Sequence, residues 1–397
     1  MCNPSPLCPS FRVEGDFSSG FIMGGYHMKK ILWTLLIFTI IVCMVTGCTE
    51  EAISEEILLP EESVIKKVAL ITDCGSVDDQ GHDQACWEGV ESWCAPRGIE
   101  FTYYQPEEDC NDARIMAVDQ AVAEGSNVIV MSDYLFGTVL AEVQEKYPHV
   151  YFVAVDLEAG DMTYDYMTFY EPAANAVCFS FAEEEAGYLA GYAAVKEGYT
   201  QLGYMGGLAV PEVIRYGYGY VQGADAAATE MDVDIHIKYT YNGGCTCGGI
   251  DLYRNKIKSW EESGTEIFFL YDGHGLESFP EGLNAHIIVP NVDKSYIGSK
   301  VLTSAIKELK TTVEYALSGL HEGRWETDFG GKFINLSLQD GDFVGLPTTE
   351  ESFRFKTFTL QEYEALKNDI RAGVRIVDDS TEAPPKTSSH TVVEEVG

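Results

Sequence analysis

Asp73-Cys74-Gly75-Ser76-Val77-Asp78-Asp79-Gln80-Gly81-His82-Asp83-Gln84 separates two different apolar patterns. Before it, Val68 to Thr72 is apolar and β-branched, the mark of a short strand. After it, Ala85, Cys86, Val90 and Cys94 fall on one face at helical spacing. The stretch is therefore a strand–loop–helix junction, and loops at the carboxyl ends of parallel strands are where open α/β sheets bind ligands. Gly75 and Gly81 permit a tight backbone, and Asp78 or Asp79 can cap the helix. Capping and solvation alone would explain some of these acids. Four carboxylates, a histidine and two glycines in so short a loop point to the floor of a polar pocket.

Working outward toward the N-terminus, Met28-Lys29-Lys30 supplies a positive start and Ile31 to Val45 an apolar run. That run is short of the roughly 20 residues of a membrane span and reads as an export signal. It ends in Val45-Thr46-Gly47-Cys48, which resembles a bacterial lipobox. Cleavage before Cys48 and lipidation of its sulfur are expected, with an uncleaved anchor helix as the other reading. Residues 1–27 read as an over-long start and 48–66 as a polar, acidic tether.

The 397-residue chain is 46% hydrophobic, enough for two lobes, and its formal net charge is -37. Such acidity argues against nucleic acid and anionic lipid surfaces as partners. Of the 11 cysteines, those downstream of Cys48 are odd in number, so they do not form a complete disulfide framework. Cys94 and Cys110 are candidates to pair. Cys245-Thr246-Cys247 lacks a second pair or a nearby histidine, so no metal site is assigned there, and no cofactor is expected.

Strand and helix then alternate. Ile99 to Tyr104, Asn127 to Met131 and Val150 to Val155 read as strands, with helices over Ala113 to Glu124 and Leu135 to Lys146. Repeated βα units imply a parallel, helix-covered sheet, with Asp156 on the same edge as Asp73. Thr168 to Phe181 reads as a crossing, with a hinge near Glu158–Tyr170. Glu183-Glu184-Glu185 opens a helix in which Gly187 and Gly191, four apart, allow close approach of another backbone. The alternation restarts with strands at Leu202 to Met205, Ile235 to Tyr241, Ile267 to Tyr271 and Ile287 to Val289. Helices are expected from Val213 past Gly223, over Ile250 to Glu262, Thr303 to Leu317 and Leu360 to Arg371, with short strands at Phe333 to Leu338 and Phe343 to Gly345. The expected organisation is lobe 1 at 67–181 with a return near 296–330, lobe 2 at 182–295 with a return near 331–377, and a disordered tail at 378–397.

Four stretches carry a resemblance. Asp73 to Asp79 with Gln84-Ala85-Cys86-Trp87-Glu88-Gly89, then Glu184 to Gly191, then Gly206-Gly207 with Val210-Pro211-Glu212-Val213, Tyr216 and Gly219-Tyr220, and last Val292 to Tyr296 with Val301 to Lys307, follow one another in order. Together they resemble the basic membrane protein family of solute-binding lipoproteins of ABC transporters, which includes purine nucleoside receptors. The resemblance covers about residues 66–377. It implies an α/β fold of the two-lobed periplasmic-binding type I, each lobe a parallel sheet covered by helices, with the ligand in the cleft. It also implies no catalysis, a nucleoside-like ligand, a permease partner and a lipid-anchored place on the extracytoplasmic face; a monomer is expected.

Residue by residue, the resemblance places Asp73, Asp156 and Lys307 at ligand-contacting positions. Asn291 stands where the family usually has an Asp that holds ribose hydroxyls. His82 replaces a stacking aromatic and Asp83 an Asn that reads the base edge, while Tyr241 is matched to a second stacking aromatic. An imidazole adds a polar handle and a possible charge to a stacking surface. A carboxylate, unlike an amide, only accepts hydrogen bonds when ionised. Asp73, Asp83 and Asp156 together favour a ligand rich in N–H or O–H donors, or a cation. Two alternatives stand beside the receptor. One is a hydrolase in which Asp78, Asp79, His82 and Asp83 hold a divalent cation and activate water; the other is a sensory lipoprotein without a transporter.

Overall fold

A computed structural model describes residues 64–164, 167–241, 249–271 and 282–396. Two sheets carry the chain. The first holds β1 (Lys67–Ile71), β2 (Glu100–Tyr104), β3 (Val128–Met131), β4 (Tyr151–Val155), β5 (Ala176–Phe181) and β11 (Lys332–Leu336), in the order β11-β5-β4-β3-β1-β2. Every pairing in it is parallel. The second holds β6 (Gln201–Gly206), β7 (Ile235–Tyr241), β8 (Ile267–Leu270), β9 (His286–Asn291), β10 (Val301–Lys307), β12 (Val344–Gly345) and β13 (Thr391–Glu395), in the order β12-β10-β9-β8-β6-β7-β13. There only β12 runs antiparallel. The expected pair of helix-covered parallel sheets is what folds.

Helices cover both faces of each sheet, so central strands such as β1, β3, β4 and β8 are buried on both sides and read as continuous apolar runs. In β1, Val68 and Leu70 face one core while Ala69 and Ile71 face another, the period-two alternation of a strand. The first face packs on α1 (His82–Cys94) and α7 (Leu309–His321); the second packs on α2 (Asn111–Ala123) and α3 (Gly137–Lys146). In lobe 2, α6 (Gly249–Glu262) covers one face and α4 (Glu183–Glu197), α5 (Pro211–Met231) and α8 (Leu360–Arg371) the other.

The chain crosses between lobes after β5, after β10 and after β11. This corrects several expectations. Residues 301–307 form a strand, so the helix expected over Thr303 to Leu317 begins only at Leu309, because Val301 to Ala305 are buried on both faces between β9 and β12. The return to lobe 1 therefore begins at Leu309 rather than near 296, and β11 belongs to lobe 1 by its pairing with β5. The Thr168 to Phe181 segment ends in β5, so the first crossing lies at Ala182, and the Glu158–Tyr170 loop stays within lobe 1.

The tail expected to be disordered carries β13, whose β-branched Thr391, Val392 and Val393 cover the open edge of β7. Cys94 and Cys110 are free: Cys94 ends the 13-residue α1 and Cys110 caps the start of α2, at opposite edges of the sheet. A helix of that length separates them by about 18 Å, against about 7 Å for a bridge. Cys48, His274, Cys245 and Cys247 lie outside the described residues.

Helices α4 and α5 run parallel and touch through glycine. A Cβ on Gly187 would stand 2.3 Å from the Tyr216 carbonyl, and one on Gly191 2.0 Å from that of Tyr220. Reciprocally, Gly219 and Gly223 would each meet a backbone carbonyl, of Glu184 and Tyr188, at 2.0 Å. The close spacing expected of Gly187 and Gly191 is thus used against another helix's backbone, which cannot rotate away. Gly191→Ala is expected to lower the unfolding free energy by about 1–3 kcal/mol in urea titration, even though alanine gains about 1 kcal/mol of helix propensity.

Candidate functional site

All parallel strands of a lobe end on the same edge, so the residues that follow them collect there. Asp73 follows β1, Ser132 and Asp133 follow β3, and Asp156 follows β4. In the order β4-β3-β1 they line one rim of lobe 1. Asp156 and Asn291, the last residue of β9, both adopt left-handed backbone, with φ of 64° and 73°. Asp and Asn tolerate this better than other side chains, and such positions concentrate at functional sites.

The lobes meet through charge. The Lys307 ammonium, at the end of β10, lies 2.7 Å from Asp156 Oδ1 and 3.2 Å from Glu183 Oε1, and also donates to Glu212 Oε1. Its side chain is fully buried. Burial works against the charged form, but Asp156, Glu212 and Glu183 outweigh it and hold the pKa well above the lysine range. For Asp156, burial acts to raise the pKa, yet the Lys307 charge and the His82 hydrogen bond hold it below the ordinary carboxylate range. His82 Nε2 lies 2.9 Å from Asp156 Oδ2. Burial opposes the imidazolium, but that hydrogen bond and charge push its pKa up to about 9.

A second bridge runs from Arg215 in α5, which lies 2.6 Å from Glu183 and 3.1 Å from Glu158 of lobe 1. Asn291 joins through tyrosines. Its Nδ2 donates to the Tyr271 hydroxyl at 3.4 Å, and that hydroxyl donates to Glu212 at 2.7 Å. The Tyr216 hydroxyl sits 3.3 Å from Asn291 Oδ1. One network therefore links His82, Asp156, Lys307, Glu212, Tyr271 and Asn291. A cavity of about 400 Å³ adjoins it between α1 and lobe 2, lined by Gln80, Gln84, Glu88, Val292, Tyr296 and Lys307 among others.

Asp83 is buried at 2% exposure beside Asp73. Its Oδ1 accepts from the Ser132 hydroxyl, and from the Asp73 amide at 3.4 Å. Burial, with the neighbouring Asp73 charge, pushes its pKa up to about 8. Tyr241 is elsewhere. It ends β7, three strands from β9, or about 14 Å at ~4.8 Å per strand. Its hydroxyl pairs with that of Tyr239 at 2.7 Å, and it lines a different cavity of about 700 Å³ with Pro384 and Pro385 of the C-terminal segment. The match to a second stacking aromatic is not supported by this position.

The four loop residues of the hydrolase alternative do not converge. Asp78 accepts from Ser76; Asp79 accepts from the amides of Gly81 and Gln84, capping α1; His82 turns to Asp156 and Asp83 to Ser132. Among the described residues, the carboxylates close enough to share a cation are Asp156, Glu183 and Glu212, and Lys307 forms ion pairs with all three.

Glu183, Glu212, Arg215, Asp133 and Tyr271 were not among the sequence candidates. Asp133 carried the same signal as Asp73 and Asp156, an acid just past a buried strand. Glu183 and Glu212 each open a helix, and only the α4–α5 crossing shows that the two starts coincide.

The match to known proteins agrees with this geometry. Residues 65–378 match the family described as Bmp, ABC transporter substrate-binding protein PnrA-like. The chain is 26% identical over 305 residues to the ABC transporter nucleoside-binding protein BmpA of Lactococcus lactis subsp. cremoris (strain MG1363), covering 69% of this chain and 80% of that protein. It is 22% identical over 328 residues to an uncharacterized lipoprotein of Pyrococcus abyssi (strain GE5 / Orsay), covering 79% and 76%. The solved ABC transporter system solute-binding protein from Conexibacter woesei DSM 14684 superposes with a TM-score of 0.61 at 19% identity, covering 79% of this chain and 99% of that one. That likeness speaks to the fold.

Two stability outcomes follow from the charges. Lys307→Met removes the buried cation shared by Asp156, Glu183 and Glu212, so urea unfolding at pH 8 should show a loss of about 3–5 kcal/mol. In the wild type the lowered Asp156 pKa adds stability that is present above pH 3.8 and lost on acidification. The deficit of the variant should therefore hold down to about pH 4 and shrink as the pH falls below it. Asp83 behaves oppositely. Its pKa is raised from 3.8 to about 8, so its contribution is present below pH 3.8 and lost as the pH rises through about 8. Asp83→Asn should match the wild type near pH 4 and exceed it by about 1–3 kcal/mol at pH 9, read by the same titration.

Proposed function

Because this chain belongs to the PnrA-like family of ABC transporter substrate-binding proteins, we propose that it captures a small polar solute, a nucleoside or related compound, between its lobes and delivers it to a permease. The observation that carries this reading is the meeting of the two lobes over charged and hydrogen-bonding side chains. Asp73, His82, Asp83 and Asp156 come from lobe 1, and Asn291 and Lys307 from lobe 2. Three chain crossings on one side of the cleft supply a hinge about which the lobes can open and close. The name of the Lactococcus lactis relative supports the nucleoside.

The chain works outside the cytoplasm, tethered by lipid on Cys48 through residues 49–66, and as a monomer. The lipobox-like Val45-Thr46-Gly47-Cys48 and the lipoprotein name of the Pyrococcus abyssi relative support the anchor. Among the described residues, no helix is long and apolar enough to cross a membrane. The hydrolase reading has less support, since its loop acids point to separate partners. A sensory role would use the same cleft and is separated by whether a permease co-purifies.

Calorimetric titration of the solute-stripped, refolded chain with nucleosides, free bases and sugars tests the ligand class. One-to-one binding of at least one nucleoside at micromolar affinity or tighter, about -8 kcal/mol or better, is expected. No heat from any nucleoside removes that ligand from the proposal.

A further inference from the structure

The last connection of the chain leaves one face of the second sheet incompletely covered. Between α8, which ends at Arg371, and β13, which starts at Thr391, the chain forms no helix or strand. A parallel strand is ordinarily covered by the helix that leads to it. Here an irregular segment runs along α5 instead, clamped at two points. Asp378 exchanges two backbone hydrogen bonds with the Gln222 side chain, each 2.9 Å, and Ser388 Oγ donates to Asp225 at 2.7 Å. Between the clamps, Pro384 and Pro385 line a cavity of about 700 Å³ together with α5, β7 and β13. Small-molecule sites run to roughly 300–1,000 Å³.

Strand register sets the chemistry of its floor. Ile237 of β7 stands beside Val393 of β13, and Tyr239 beside Glu395. Alternate residues share a face, so Tyr239, Tyr241, Val393 and Glu395 lie on the side that α5 covers. The rings of Tyr239 and Tyr241 meet at 77° with centroids 5.4 Å apart, which makes an aromatic corner, and their hydroxyls pair at 2.7 Å. From α5, Tyr218 and Val221 complete the wall. The Tyr218 hydroxyl and the Glu395 carboxylate have no hydrogen-bond or ion-pair partner among the described residues. Burial first, and the Glu395 charge after it, raise the pKa of Tyr218; burial, then the Tyr218 and Glu395 charges, raise that of Tyr241. The carboxylate therefore acts on both phenols. Among the described residues, no lysine, arginine or histidine lines the cavity.

We infer that this cavity, which shares no lining residue with the one beside the interlobe network, is a second binding site and takes an organic amine in its ammonium form. The apolar body lies in the Tyr239–Tyr241 corner, against Val393 and the two prolines. The ammonium reaches the Glu395 carboxylate and donates to the Tyr218 hydroxyl. Tyrosine faces attract a cation as well as an apolar ring. A neutral analogue keeps the apolar contacts and loses the charge pair; an anion meets Glu395 with no cation to receive it. Because the occupant touches α5, β13 and the irregular segment at once, its binding also holds the C-terminal segment on the sheet.

Three indoles that differ in charge test the site by calorimetry on the refolded full chain at pH 7: tryptamine is a cation, tryptophol is neutral and indole-3-acetate is an anion. Tryptamine should bind at least tenfold more tightly than tryptophol, and indole-3-acetate most weakly. Glu395 is exposed on an edge strand, and in Glu395→Gln, shown to be folded by its thermal transition, that advantage should fall at least tenfold. Hydrogen exchange of the wild type gives a reading that needs no variant. At ten times its Kd, tryptamine should slow exchange of the amides of residues 391–396 about tenfold. Tryptophol binding as tightly as tryptamine, no response to any of the three, an unchanged tryptamine affinity in Glu395→Gln, or unchanged exchange at 391–396 overturns the inference. None of these outcomes bears on the nucleoside, which is read in the cleft.

Discussion

One buried ammonium, that of Lys307, is the constraint on which the cleft depends. It ends a strand of lobe 2, yet its partners include Asp156 of lobe 1. Three carboxylates gathered in one buried place would repel strongly; a central cation turns the repulsion into attraction across the interlobe seam. The same charge sets the state of its neighbours. Asp156 stays ionised because Lys307 is there, and ionised Asp156 in turn holds His82 as an imidazolium. Strand end, helix start and loop are tied into one electrostatic unit.

Placing those groups requires unusual backbone geometry. Four glycines let α4 and α5 pack backbone against backbone and in parallel, so both N-termini arrive at the seam. Glu183 and Glu212 sit in those first turns, where the helix dipole favours negative charge. Arg215, one turn into α5, reaches both Glu183 and Glu158. Opposite them, Asp156 and Asn291 take left-handed backbone at their strand ends, which turns each side chain off the line of its strand. The glycine crossing and the positive φ angles serve the position of charged groups rather than the stability of either lobe alone.

The cleft shares the acidity of the whole chain, whose net charge is -37. Its cations are spent on structural pairs, Lys307 on Asp156, Glu183 and Glu212, and Arg215 on Glu183 and Glu158.

By itself the sequence determined the fold class. Alternating apolar runs and amphipathic helices, repeated in two halves, admit few arrangements other than parallel sheets covered on both faces. It also exposed the rim acids, because Asp73 and Asp156 each follow a buried strand and strand ends share an edge by construction. The tertiary structure decided what depends on pairing rather than pattern. Thr303 to Lys307 mixes polar and apolar residues and is short enough to read as either helix or strand, and only its place between β9 and β12 settles which. The tail reads as polar and proline-bearing, yet five residues of it find an open strand edge. Tyr241 looked equivalent to a cleft aromatic until the strand order put it three strands away. Glu183, Glu212 and Arg215 joined the site for a reason no local window carries: two helices distant in sequence begin at one point in space.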